Sequence, residues 1–174
     1  MPEDPTLGGL VDVEKLAAWA TEHLPQLGTR PLRVGMLHGG TSNVILTLDR
    51  GAETMILRRP PAIPPPNSEK TVLREATVLT ALNDTPVPHP TCFASCDDTR
   101  VIGAPFYVME MVPGWAAELR DGHIYHRPPF DQAPYEYGIA YAMVDGLVAL
   151  ANVDYQAVGL GDFPVFSGIG AGGA

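Results

Sequence analysis

Gly39-Gly40-Thr41-Ser42-Asn43 is a glycine pair followed by two hydroxyls and an amide. It lies between two apolar runs with strand character, Leu32 to Leu37 and Val44 to Leu48. Glycine has no Cβ, so backbone N–H groups in such a turn can come close to a ligand. Clusters of N–H groups and hydroxyls of this kind bind phosphates. The same residues also suit an ordinary hairpin turn, and the glycine motif alone does not choose between the two. A second arrangement joins a carboxylate to a cation. Val72, Glu75, Ala76 and Leu79 recur at helical spacing, which puts Glu75 inside an apolar stripe. A buried carboxylate without a partner is costly. Either the stripe is solvated at Glu75 or a cation meets it from a sheet. Arg58 is the best-placed cation, near the end of the strand-like run Thr54 to Arg59, with Arg59 pointing to the opposite face. A third group, His89, Cys92 and Cys96, spells His-x-x-Cys-x-x-x-Cys. A metal site needs a fourth ligand at a sensible spacing, and none is evident, although His123 and His126 lie downstream. Cysteines on a buried strand are the simpler reading.

The elements that must position these residues follow from the same patterns. Residues 1–9 are polar and read as loose. Asp12 can cap a helix running to about Leu24, with Val13, Leu16, Ala17, Ala20 and Leu24 at helical spacing and Gly28 and Pro31 as stops. Strands over 32–37, 44–48 and 54–59 form an antiparallel meander, with a turn at Asp49-Arg50-Gly51-Ala52. The run Pro60 to Pro66 stops the sheet, and a helix follows from about Glu69 to Leu82. Pro86 to Pro90 is an extended connector. Strands over 91–96 and 104–112 come next, separated by a turn at Asp97-Asp98-Thr99-Arg100 and ending at Pro113-Gly114. Residues 115–133 show no period and read as irregular. A helix is expected from about Pro134 to Ala151, with Tyr135, Ile139, Met143, Leu147 and Leu150 near one stripe. The tail from Pro164 carries no charge and no period; Gly168-x-Gly170 lacks the strand–helix context of a dinucleotide fingerprint.

Composition narrows the function classes. The chain has 174 residues, 45% hydrophobic, with a formal charge of −9, which suits one packed domain or a domain with a fragment. An acidic chain repels nucleic acid and anionic lipid, so neither is an expected partner. The two cysteines, the lack of a signal peptide and the lack of a long apolar run predict a soluble, cytoplasmic protein with free thiols. Eighteen prolines and eighteen glycines cluster in the connections and the tail.

The order of elements resembles the small lobe of the protein-kinase-like fold: strand, glycine turn, strand, strand with a basic residue, helix with a carboxylate, two strands, hinge. The residues resemble the aminoglycoside phosphotransferase and choline kinase-like family, in particular the group related to the kinase-like domain found beside acyl-CoA dehydrogenases. The matching pieces run from about Val34 to Phe163. They are Gly39 to Asn43, Ile56-Leu57-Arg58-Arg59-Pro60, Arg74 to Leu79, Val87-Pro88-His89-Pro90, Gly103 to Glu110, and Leu147 to Leu150 with Val153-Asp154. The resemblance implies an α+β fold, a kinase-like small lobe with a five-stranded antiparallel sheet and a helix, followed by the first helices of a large lobe. It divides the chain into an N-terminal helical segment (1–31), the small lobe (32–112), the hinge with the start of a truncated large lobe (113–163), and an unstructured or non-native tail (164–174). It also implies roles. Gly39, Gly40, Thr41, Ser42 and Asn43 would cover the nucleotide phosphates. Arg58 would stand for the strand lysine on the α- and β-phosphates, held by Glu75. Met109 would precede the hinge against the adenine, and the Glu110 carbonyl and Val112 N–H would bond the adenine edge. Arg in place of Lys at 58 retains charge and forks toward oxygens. Ala151 stands where the family often has histidine.

The family supplies its catalytic residue and Mg²⁺ ligands from a His-Gly-Asp…Asn loop and a later Asp. No His-Gly-Asp triplet occurs in the 174 residues. The pattern leaves the family at Phe163-Pro164, which predicts a truncation or a frame change in the coding sequence. The expectation is therefore an ATP-dependent phosphotransferase family member acting on a small-molecule hydroxyl, here without its catalytic loop and inactive alone. ATP binding would be weak or absent, Mg²⁺ would bind only with a second lobe supplied, and exposed apolar surface would favour self-association. The alternatives are a non-catalytic nucleotide-binding or scaffold module and a non-functional truncated product. The acceptor, and ATP against GTP, are not encoded in these residues.

Overall fold

The computed structural model describes residues 9–39, 43–114 and 118–163. Helix α1 (Val13–His23) begins at Asp12, whose carboxylate accepts from the Lys15 N–H at 3.1 Å. A single 3₁₀ turn, Pro25–Leu27, follows and stops at Gly28, whose φ of 102° suits glycine. Leu16, Ala20, Leu24 and Leu27 are fully buried. Trp19 stacks on His23 and meets the Phe106 ring edge-on.

The sheet under α1 contains β1 (Arg33–Gly39), β2 (Val44–Asp49), β3 (Thr54–Arg59), β4 (Cys92–Cys96) and β5 (Phe106–Glu110). Its order is β1-β2-β3-β5-β4, and every neighbouring pair is antiparallel. The β1–β2 hairpin carries an irregularity between Met36 and His38, and its last pair is Gly39 opposite Val44. Alternation sorts the side chains onto two faces. Val44, Leu46, Leu48, Met55, Leu57, Phe106 and Val108 join the α1 leucines in the main core. The other face meets helix α2 (Ser68–Leu82), which packs on β4, β5 and β3 through Val72 and Ala76.

Two buried arginines tie the α1 layer to the sheet. Arg50 donates to the Thr21 hydroxyl at 2.8 Å and to the Ala17 carbonyl at 2.5 Å. Arg59 donates to the carbonyls of Pro60, Leu10 and Ile102. Burial lowers the Arg59 pKa from its ordinary value. Carbonyl dipoles take the place of a carboxylate here, and the guanidinium fork satisfies several at once.

Two stretches differ from the sequence reading. Asp97 to Arg100 leads into helix α3 (Thr99–Ile102) and is not a plain turn. Asp98 caps it, accepting from the Arg100 N–H at 2.9 Å, and the turn is held helical because Ile102 is buried in the core. The Arg100 guanidinium holds the Asp98 carboxyl down at about 2. Within 115–133 a small hairpin forms, β6 (Glu118–Arg120) with β7 (His123–Tyr125). Asp121-Gly122 makes its turn with φ of 50° and 78°, the left-handed pair that a two-residue hairpin loop requires. Helix α4 (Glu136–Ala151) ends at Asn152 and has no buried residue. Residues 1–8 and the tail 164–174, with the expectations placed on them, lie outside the described residues.

Candidate functional site

The α2 face of the sheet holds the predicted carboxylate and cation together. Arg58 projects from β3 toward α2, while Arg59 turns to the opposite face. Glu75 stands on α2 between Val72 and Ala76, which are buried, and Leu79. Arg58 Nη2 lies 3.1 Å from Glu75 Oε1, with about a quarter to a third of each side chain exposed (26% and 32%). The stripe is thus both open at its edge and met by a cation.

A third member comes from β5. Tyr107 stands directly opposite Arg58 in the β3–β5 register, and its hydroxyl donates to Glu75 Oε2 at 3.3 Å. Burial is the main cause that pushes the Tyr107 phenol up to about 12; the Arg58 charge opposes it and the Glu75 charge adds to it. Sequence reasoning did not find this residue. The available signal was its place two residues before Met109, on the same face of the strand; the pairing of β3 with β5 is not local.

Next to the cluster the face turns apolar. Met109 lies opposite Ile56 across β3–β5 and opposite Cys92 across β5–β4, and Ile56 lies opposite Thr47 on β2. A cleft of about 660 Å³ opens beside these residues, lined by Arg58, Glu75, Tyr107, Met109, Leu79 and Phe163 among others. Phe163 reaches the far wall, where the Arg74 guanidinium stands 5.0 Å from its ring centre. This contact also went unread in the sequence.

Beyond Met109 the chain runs out as an exposed hinge. Met111 and Val112 are 44% and 58% exposed, and among the described residues the Val112 N–H makes no hydrogen bond. The Glu110 side chain faces elsewhere: its Oε2 accepts from the N–H and hydroxyl of Thr91, both at 3.2 Å. Of the glycine turn, Gly39 ends β1 and Asn43 precedes β2, half-buried. Gly40, Thr41 and Ser42 lie outside the described residues.

These residues fit a nucleotide on three observations. Arg58 Nε is buried without a hydrogen-bond partner among the described residues, so Glu75 does not saturate the guanidinium. An apolar patch of Ile56 and Met109 adjoins it. The hinge that follows Met109 is exposed at Met111 and Val112. A metal is different: among the described residues no group of three His, Cys, Asp or Glu side chains could hold one. Cys92 and Cys96 are buried in β4, and burial raises both thiol pKa values.

Comparison with known proteins decides the family. The sequence pattern of the phosphotransferase enzyme family matches residues 33–168. The chain belongs to the phosphotransferase enzyme family. A solved structure with the same fold is that of a candidate aminoglycoside phosphotransferase from Ralstonia eutropha JMP134. It superposes with a TM-score of 0.68 at 32% identity, over 89% of this chain and 42% of that one. Human acyl-CoA dehydrogenase family member 11 is 33% identical over 165 residues, which are 92% of this chain and 20% of that protein. Mouse acyl-CoA dehydrogenase family member 10 is 31% identical over 137 residues, 78% of this chain and 12% of that protein. The chain thus spans about a fifth or less of the length of these two relatives. The α+β kinase-like fold expected from the order of elements is the one observed.

Proposed function

We propose that this chain is the nucleotide-holding part of an ATP-dependent phosphotransferase that phosphorylates a hydroxyl on a small molecule. The observation that carries this reading is the Arg58–Glu75 pair at 3.1 Å, on an open sheet face beside an apolar patch. In the reading, Arg58 binds the α- and β-phosphates, and Glu75 keeps it from folding away. Ile56 and Met109 cover the adenine. The Glu110 carbonyl and Val112 N–H bond its edge, and the turn Gly39 to Asn43 closes over the phosphates. The nucleotide supplies the phosphoryl group; the residues here bind, orient and shield it.

Transfer also needs a group to orient the acceptor hydroxyl and ligands for Mg²⁺. The 174 residues contain no His-Gly-Asp triplet, and the described residues hold no metal cluster. In this reading both come from a second lobe, and Mg²⁺ joins the site only with it. The chain alone then binds ATP weakly and transfers nothing. A cytoplasmic location suits the use of ATP, and no helix among the described residues is long and apolar enough to cross a membrane.

Calorimetric titration of the chain with ATP, with and without Mg²⁺, tests the reading. Expected is weak binding, little affected by Mg²⁺, that Arg58→Ala weakens further. Addition of a polypeptide carrying the large lobe of a relative should raise affinity and bring Mg²⁺-dependent turnover. Tight, Mg²⁺-dependent ATP binding by the chain alone would contradict the division of labour. Binding unchanged in Arg58→Ala would contradict the site.

A further inference from the structure

Glu75 is gripped from two strands at once. Arg58 and Tyr107 face each other across β3 and β5, and both side chains rise toward α2. Arg58 takes Oε1 and the Tyr107 hydroxyl takes Oε2. We propose that Tyr107 is a positioning residue of the nucleotide site: its hydroxyl fixes the Glu75 carboxylate and, through it, the direction in which Arg58 offers its remaining N–H groups to a phosphate. This rests on the nucleotide reading above.

The geometry gives the hydroxyl work that packing alone does not explain. A carboxylate held by one oxygen can turn about its last bond; held by both, it cannot. Orientation matters more for arginine than for lysine, because the guanidinium is a planar fork and an ammonium is a compact charge. Arg58 Nε has no partner among the described residues, so the fork is steered from its Nη2 corner, where Glu75 holds it. When a phosphate draws on the Arg58 charge, Glu75 keeps a donor only if Tyr107 supplies it. The 3.3 Å contact is long for a hydroxyl on a carboxylate, as hydrogen bonds in unliganded sites often are. Tyr107 is 2% exposed, packed with Val72, Ala76 and Cys92, so a phenylalanine would keep the packing and lose only the hydroxyl.

The test compares ADP with adenosine, which lacks phosphates, by NMR titration of the whole chain, of Tyr107→Phe and of Arg58→Ala. Tyr107→Phe should weaken ADP about 3- to 10-fold and move adenosine by less than about 2-fold. A merely structural tyrosine would move both ligands together or neither, and either result overturns the assignment. Arg58→Ala separates the two levels. If it removes the preference for ADP while Tyr107→Phe does not, the Tyr107 assignment falls alone. If Arg58→Ala leaves the preference intact, or the unaltered chain binds neither ligand, the nucleotide reading falls and takes the assignment with it.

Discussion

Arg58 and Arg59 are neighbours with opposite tasks, set by strand alternation. Arg59 serves three carbonyls in the interior, so Arg59→Ala leaves acceptors unpaired and should cost about 2–4 kcal/mol of stability. Arg58 is a quarter exposed in a solvent-screened pair, so Arg58→Ala should cost less than about 1 kcal/mol and act on ligand binding instead. Urea unfolding of the two variants checks this; equal losses would contradict it. Tyr107 adds a pH prediction. Its folded pKa of about 12 lies above the ordinary 10.0, so the folded state holds this proton more tightly than the unfolded chain. Its stabilising contribution is complete below pH about 10 and is lost as pH rises toward about 12. Urea midpoints measured across that range should fall more steeply for the unaltered chain than for Tyr107→Phe; parallel curves would contradict the shift. The Arg58–Glu75 pair was legible in the sequence because two local periods point to it, alternation at Arg58 and helical spacing at Glu75. Tyr107 was not, because its place beside them depends on pairing between strands about fifty residues apart in sequence (Arg58 with Tyr107).

At the scale of elements, the five strands of the main sheet and three of the helices were legible because their periods and caps are local. Asp12 is the clearest case: its side chain accepts the Lys15 N–H as the sequence pattern predicted. The hairpin β6–β7 was missed although Asp121-Gly122 is a strong turn signal, because its flanking strands are three residues each with no buried position. Helix α3 was missed because one turn ending at a buried Ile102 looks like any Asp-led turn until the core is known. Helix α4 is apolar on all sides, with Tyr141 69%, Met143 65% and Leu147 64% exposed. A helix of that kind ordinarily lies inside a protein. The doubly altered chain Tyr141→Lys with Leu147→Glu should keep its unfolding free energy within about 1 kcal/mol, since no buried contact is lost. It should also bind less of a hydrophobic dye and sediment with less self-association. A large loss of stability would show that α4 packs on the rest of the chain.

For the whole molecule, α1 and α2 sandwich the sheet unequally. The α1 side is a closed core of leucines, while the α2 side closes only over β4, β5 and β3 and leaves a cleft beside Arg58. The closed side holds the larger core, and the candidate site lies on the open side. The family resemblance was legible because it rests on the order and spacing of many short pieces, each of little weight alone. The matched structure has more than half its length outside the region shared with this chain.

The most direct measurement follows the arginine side chains themselves. Arg58 and Arg59 lie on β3 and Arg50 directly follows β2, with Arg50 and Arg59 buried among carbonyls and Arg58 at the cleft. In a chain labelled with ¹⁵N-arginine, ADP should shift the Arg58 Nε–H resonance in a saturable way and leave those of Arg50 and Arg59 in place. Adenosine should not reproduce the Arg58 shift. An Arg58 resonance that stays fixed at saturating ADP, or that moves no more than those of Arg50 and Arg59, would contradict a phosphate site on β3.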